Sequence, residues 1–72
     1  MLVEINTIVL IKDEDDIWIA NCEFLPGCHA SGATEHEAIL NFQEAAKVHL
    51  EALRDSGRPI PEHFRSKFVL VA

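Results

Sequence analysis

The order of secondary structure can be inferred outward from residues 25–37, which read LPGCHASGATEHE. Leu25-Pro26-Gly27 predicts a tight turn, because proline presets one φ angle and glycine permits the positive φ that can follow it. Residues 28–31 predict a short strand that runs back beside the preceding one. Thr34 and Glu37 have the spacing of a capping box, which satisfies free amides at the start of a helix. A turn, a strand and a helix are therefore expected in succession.

A long helix is predicted beyond the capping box. Apolar residues and one histidine recur there at the i, i+3, i+4 spacing of an amphipathic helix. They are Ala38, Ile39, Phe42, Ala45, Ala46, His49, Leu50 and Leu53. Arg54 suits the negative C-terminal end of the helix dipole. Gly57 suits the position just after a helix and Pro59 prevents continuation, so a loop is expected over residues 58–66.

The rest of the chain predicts further strands. Residues 2–11 carry a β-branched side chain at every odd position from 3 to 11, which indicates a strand whose odd face lies against a core. A charged turn at residues 12–16 separates it from a second strand at residues 17–24. Ile17 and Ile19 share one face of that strand. The other face carries Trp18, Ala20, Cys22 and Phe24. Residues 67–72 predict a last, apolar strand.

The predicted order β-β-β-α-β is that of an α+β fold, with one mixed sheet of three antiparallel strands plus a last strand and a long helix on one face. Residues 1–72 are expected to form a single domain. One helix covers only one face of such a sheet, so the other face, carrying either Trp18 or Ile17, would be exposed in a monomer. An apolar patch of this kind usually marks an interface, and we expect a homodimer or a higher homo-oligomer.

Composition narrows the classes of function. The 72 residues include 12 Asp and Glu against 6 Lys and Arg, which gives a net charge of −6. Such a chain repels a phosphate backbone, so direct DNA binding is not expected. The N-terminus lacks the features of a signal peptide, and the apolar run at residues 8–11 is too short to span a membrane. We expect a cytoplasmic protein whose Cys22 and Cys28 are reduced thiols.

The acidic run Asp13-Glu14-Asp15-Asp16 is the first candidate for a functional site. Two-metal nuclease sites need carboxylates that converge from separate elements, whereas consecutive residues of a turn diverge into solvent. A solvated turn is therefore favoured over a metal site. Its functional use would be as an acidic contact surface for a basic partner.

Other chemistry is less well supported by the sequence. His36 and His49 lie about 20 Å apart along one helix and cannot share a zinc ion, and no metal or cofactor is expected. Cys22 or Cys28 could face His49 across the sheet–helix interface, as a cysteine nucleophile would require. Packing roles are favoured for all three side chains, and Trp18 is expected to pack rather than stack on a base. The chain is predicted not to be an enzyme.

Several segments together resemble the HicB-type antitoxin family. They are residues 15–20, residues 24–32, residues 34–38 with Asn41, Glu44 and Ala45, and residues 57–61. The Leu-Pro-Gly-Cys turn followed by the Thr-x-x-Glu-Ala helix start is the most specific combination. The chain departs from the family at Ile17, where a glycine is common, and near Cys22, where a proline is common.

The resemblance implies a partial RNase H-like fold and a non-catalytic protein that inhibits a small basic, mRNA-cleaving HicA-type toxin. Many relatives carry a C-terminal DNA-binding domain, for which a chain ending at Ala72 leaves no room. The alternative is an orphan dimeric interaction domain, without a toxin, that binds RNA or another ligand. We expect the acidic chain to attract a basic toxin to a contact site on its own surface. The residues of this contact site would be Asp13, Glu14, Asp15, Asp16, Trp18 and Glu35.

Overall fold

The computed structural model describes residues 2–65, and the predicted strand at residues 67–72 lies outside them. Within the described residues three strands form an antiparallel sheet in the order β1-β2-β3. The strands are β1 (Ile8–Lys12), β2 (Trp18–Cys22) and β3 (His29–Gly32). A 21-residue helix, α1 (Glu35–Asp55), packs along β3 and β2. The predicted α+β fold, with three antiparallel strands and one long helix, is confirmed.

The first strand begins later than predicted. Residues Ile5–Thr7 form a 3₁₀ turn in which the Thr7 amide and hydroxyl both donate to the Glu4 carbonyl (2.9 and 2.7 Å). A 3₁₀ helix has about three residues per turn, so this turn breaks the strand-like alternation of side chains between two faces. Val3 before it is fully buried, whereas Val9 and Ile11 after it point away from the core.

The predicted core face of the first strand is therefore wrong. Val9 and Ile11 are 49% and 52% exposed, and Ile8 and Leu10 pack against the core instead. Ile11 pairs with Ile19 in the register, which places these two isoleucines on the face opposite α1. Of the two orientations that the sequence left open for β2, the one with Trp18, Ala20 and Cys22 facing α1 is present. Fully or largely buried apolar residues form the core. They are Val3, Ala20, Cys22, Leu25, Cys28, Ala38, Phe42, Ala46, Leu50, Ile60 and Phe64.

Both ends of α1 follow the sequence signals. The Glu37 amide donates to the Thr34 hydroxyl (3.1 Å), as in a capping box. The Glu37 carboxylate in turn accepts from the Ala33 amide (3.3 Å). At the other end Gly57 has φ +75°, and the Arg58 amide donates to the Leu53 carbonyl (2.8 Å), which is the pattern of a Schellman motif. The predicted stripe supplies the four buried residues of α1, Ala38, Phe42, Ala46 and Leu50.

Two packing features were not predicted. The predicted loop at residues 58–66 contains a single helical turn, α2 (Glu62–Arg65), which forms because burial of Ile60 and Phe64 fixes the chain against the core. The Gln43 side chain on α1 accepts from the Val3 amide (2.7 Å) and donates to the Val3 carbonyl (2.6 Å). This pair of hydrogen bonds fixes the N-terminal segment beside the helix.

Candidate partner-binding site

The predicted contact residues lie at one end of the sheet. Trp18 is the first residue of β2, and it pairs with Lys12 at the end of β1 and with Gly32 at the end of β3. The β1–β2 turn and the start of α1 therefore both adjoin this end. We define the acidic end as Asp13, Glu14, Asp15, Asp16, Glu35 and Glu37. Residues that are about twenty positions apart in sequence are thus brought together by strand pairing.

The β1–β2 turn is held by its own first acid. The Asp13 carboxylate accepts from the Asp15 amide (2.8 Å) and the Ile17 amide (3.0 Å). The Asp13 amide also donates to the Ile17 carbonyl (2.9 Å), and Asp16 has φ 61°. Asp13 is partly buried, whereas Glu14, Asp15 and Asp16 are exposed. Asp13 therefore shapes the turn, and the next three carboxylates face solvent.

One cation lies beside this turn. The Lys12 ammonium is 3.4 Å from an Asp16 carboxylate oxygen, with the two side chains 49% and 85% exposed. Exposed pairs of this kind contribute at most about 1 kcal/mol. The same ammonium is 5.7 Å from the centre of the Trp18 ring. Trp18 is half-buried and packs against the core on the α1 side, so only part of its ring is available to a partner.

The start of α1 contributes two more acids. Glu37 is engaged in capping, while Glu35 is exposed. Behind them, Asn41 donates to the Ser31 carbonyl (2.8 Å) and joins α1 to β3. The acidic end therefore presents four exposed carboxylates that do not hold the turn or the helix cap. They are Glu14, Asp15, Glu35 and Asp16, of which Asp16 is paired with Lys12.

A groove at the other end of β3 contains the residues considered for cysteine chemistry. It has a volume of about 660 Å³, and Cys28, His29 and His49 are among its lining residues. Burial, and secondarily the neighbouring Cys22, raise the pKa of the Cys28 thiol, which disfavours the reactive thiolate. Among residues 2–65 no hydrogen bond joins Cys28 to His49, and no cluster of three His, Cys, Asp or Glu side chains could hold a metal ion.

Comparison with known proteins identifies the family. Residues 6–68 match the model of the HicB-like antitoxin of bacterial toxin–antitoxin systems. The chain belongs to the HicB-like antitoxin family. This membership supports an antitoxin-type role with a toxin as the kind of partner, and favours binding over catalysis.

Two relatives and one solved structure are similar to this chain. The UPF0150 proteins of Thermoplasma acidophilum and Synechocystis are 38% and 39% identical over 76% and 78% of this chain, which span 80% and 71% of those proteins. The crystal structure of the N-terminal domain of Burkholderia pseudomallei antitoxin HicB matches with a TM-score of 0.66 and 32% identity. That match covers 74% of this chain and 62% of the Burkholderia chain, which is less than two thirds of it.

Two residues that position α1 were not predicted from the sequence of this antitoxin-like chain. Gly32 and Gln43 are neither charged nor reactive, yet they set how α1 meets the sheet and the N-terminal segment. The signal for Gly32 was its place within the family-like segment at residues 24–32.

Among the described residues, no helix has both the length and the apolar character needed to cross a membrane.

Proposed function

We propose that this HicB-like protein is a non-catalytic antitoxin that binds a small basic HicA-type toxin in the cytoplasm and covers the surface with which the toxin would engage mRNA. The four exposed carboxylates of the acidic end are the observation that supports this proposal. Lys12 is the cation adjoining them in the described structure, and it is already paired with Asp16.

The arrangement suits capture of a cation-rich partner. The carboxylates of one turn and of one helix start act on the same approaching charge, because the turn and the helix start adjoin the same end of the sheet. Clustered charge of one sign speeds association with an oppositely charged surface. Trp18 beside the cluster offers the aromatic area that often anchors an interface.

Charge reversal tests the acidic end. The test variant reverses three of its exposed acids: Glu14→Lys, Asp15→Lys and Glu35→Lys. The control reverses three exposed acids located elsewhere: Glu23→Lys, Asp55→Lys and Glu62→Lys. Both variants have the same net charge, so any difference between them reports position alone.

The measurement is the association rate with a purified small basic toxin of the HicA type, at low and high salt. We expect the test variant to associate about tenfold more slowly at low salt and to lose most of its salt dependence. The control should keep most of the wild-type association rate and its salt dependence. Equal effects in both variants, or no effect in either, would exclude the acidic end as the contact surface.

We also propose that the protein self-associates through the sheet face opposite α1. Val9 and Ile11 on this face are about half exposed, and Ile17 and Ile19 lie beside them. The side chains of the three strands on this face carry no carboxylate, although the chain has a net charge of −6. Two copies can therefore meet here without opposing like charges, whereas a basic toxin finds no complementary charge.

Oligomeric state tests this second surface. Sedimentation at micromolar concentration should give a mass of at least two chains for the wild type and of one chain for Ile11→Asp. Leu40→Asp is the control, because Leu40 is also about half exposed but lies on α1. A single-chain mass for the wild type would refute self-association. Binding of RNA by the purified chain alone would favour the alternative of an orphan dimeric domain without a toxin.

A further inference from the structure

The two cysteines flank the β2–β3 turn. The last pair of the β2–β3 ladder is Asn21 with His29, and Cys22 and Cys28 are the next residues outward. Cys28 lies just before β3, so the two cysteines extend the register by one step beyond the ladder and are not part of it. Facing residues of antiparallel strands have Cα atoms about 4.5–5.5 Å apart, within the range of about 4.4–6.8 Å that a disulfide requires. A hairpin that continues this register past the ladder therefore suits a disulfide between them.

Both thiols also point to the same side of the hairpin. Cys22 and Cys28 are 3% and 7% exposed on the α1 side, and both are free thiols. The turn that joins them is closed by two backbone hydrogen bonds, from the Leu25 amide to the Cys22 carbonyl (3.1 Å) and from the Cys28 amide to the Leu25 carbonyl (3.2 Å). The Cys22 thiol donates a long hydrogen bond to the Thr7 hydroxyl (3.8 Å), which is weak and easily given up.

The two thiols differ in access. Cys28 lines the groove between β3 and α1, and Cys22 does not. A small oxidant that enters the groove therefore meets Cys28 first, with Cys22 behind it as the second thiol. Cys28 is largely buried but borders the groove, and an oxidised thiol with a second cysteine beside it can be resolved to a disulfide.

We propose that Cys22 and Cys28 form a peroxide-sensitive dithiol that closes reversibly to an intrachain disulfide. The Cys28 sulfur, as thiolate, attacks hydrogen peroxide, so that an S–O bond forms, the O–O bond breaks and hydroxide leaves. The Cys22 thiolate then attacks the sulfenic acid sulfur, the S–S bond forms and the hydroxyl leaves as water after protonation. Overall, two thiols are oxidised and one peroxide is reduced to two waters, and a dithiol reductant reverses the reaction.

The surroundings set the speed of this reaction. Burial raises the pKa of Cys28 and leaves little thiolate at neutral pH, so oxidation should be slow there and should accelerate as the pH rises. Toxin binding is independent of this chemistry, because the acidic end lies at the opposite end of the sheet. Failure of one proposal would therefore leave the other standing.

Peptide mapping after peroxide treatment provides the test. Trypsin leaves both cysteines in the peptide of residues 13–47, and cleavage after Glu23 separates them unless a disulfide holds the fragments together. We expect the peroxide-treated wild type to lose two hydrogen atoms in this peptide and to keep the fragments linked until reduced. Retention of both thiols under conditions that oxidise the urea-unfolded chain would overturn the proposal, as would disulfides between chains only.

Two variants separate the roles of the cysteines. In Cys22→Ser, Cys28 should accumulate as a sulfenic acid that dimedone traps, because the resolving thiol is absent. In Cys28→Ser, peroxide should leave Cys22 largely unmodified. Circular dichroism checks that both variants remain folded. If either does not, the peptide mapping of the wild type still tests whether the disulfide forms. Faster modification of Cys22 than of Cys28 in the folded wild type would contradict the assigned order.

Discussion

Gly32 lies at the end of β3, where the backbone passes directly beneath the first turn of α1. A Cβ atom at this position would lie 2.5 Å from the Ala38 nitrogen, 2.7 Å from the Glu37 Cβ and 2.8 Å from the Glu37 carbonyl carbon. All three distances are far below ordinary contact, and two of the atoms belong to the helix backbone. Gly32→Ala should therefore displace the start of α1 from the sheet.

The expected cost follows from the contacts. Overpacking a well-packed site costs about 1–3 kcal/mol, and the upper part of that range applies because backbone atoms cannot rotate away. A chain of this length has a free energy of unfolding of about 4–11 kcal/mol, so the variant would lose a large share of it. The corresponding fall in the midpoint of thermal unfolding is about 10–20 °C. Displacement of α1 would also move Glu35 away from the acidic turn, so the proposed binding of a basic toxin should weaken.

Urea unfolding followed by the fluorescence of Trp18, the single tryptophan, measures this cost. Gly27→Ala is the matched control, because Gly27 has φ +85° and nothing lies within 4 Å of its added Cβ. That variant suffers only the strain of the left-handed conformation, about 1 kcal/mol. Gly32→Ala should therefore be clearly the less stable of the two. A loss below about 0.5 kcal/mol, or one smaller than that of Gly27→Ala, would refute the close contact between β3 and α1.

Three further predictions concern stability. Phe42→Ala should lower the free energy of unfolding by about 3–5 kcal/mol, because Phe42 is fully buried. Leu40→Ala on the same helix should lower it by less than about 1 kcal/mol, because Leu40 is 46% exposed. Urea titrations measure both. Thr34→Ala should cost about 1 kcal/mol and Thr34→Ser should recover most of it, since Thr34 caps α1; equal losses would contradict the cap. Burial raises the folded-state pKa of Cys28, so the unfolded chain loses that proton first, and stability should fall as the pH rises above the ordinary value of 9.0. Cys28→Ala should show a smaller fall, and an identical pH profile would contradict the raised pKa.

Local signals allowed much of this fold to be predicted. The cap at Thr34, the turn at Gly27 and the helix stop at Gly57 are all confirmed, because each depends on atoms within a few residues of one another. The β-branched alternation of the first strand was misleading for the same reason. Period-two spacing defines two faces, but it does not specify which face the helix will cover, and the 3₁₀ turn at Ile5–Thr7 reversed the expected parity.

Part of the candidate site could be predicted from the sequence, and the rest required the structure. The acids of residues 13–16 and Glu35 could be named from the sequence, since net charge and exposed turns depend on composition and local pattern. That Asp13 is used to hold the turn, and that Glu35 adjoins the same end of the sheet, required the hydrogen bonds and the register. Residue type gave no indication of the close approach at Gly32.

The sequence by itself determined the order of β1, β2, β3 and α1, the net charge of −6 and the likeness to the HicB-like family. Only the tertiary structure decided that Trp18 faces α1, that Ile11 and Ile19 lie on the open face, and that Cys22 and Cys28 flank one turn on the α1 side. The physical reason is that strand register and helix packing are fixed by contacts between distant segments, whereas a sequence pattern records only what neighbouring residues prefer.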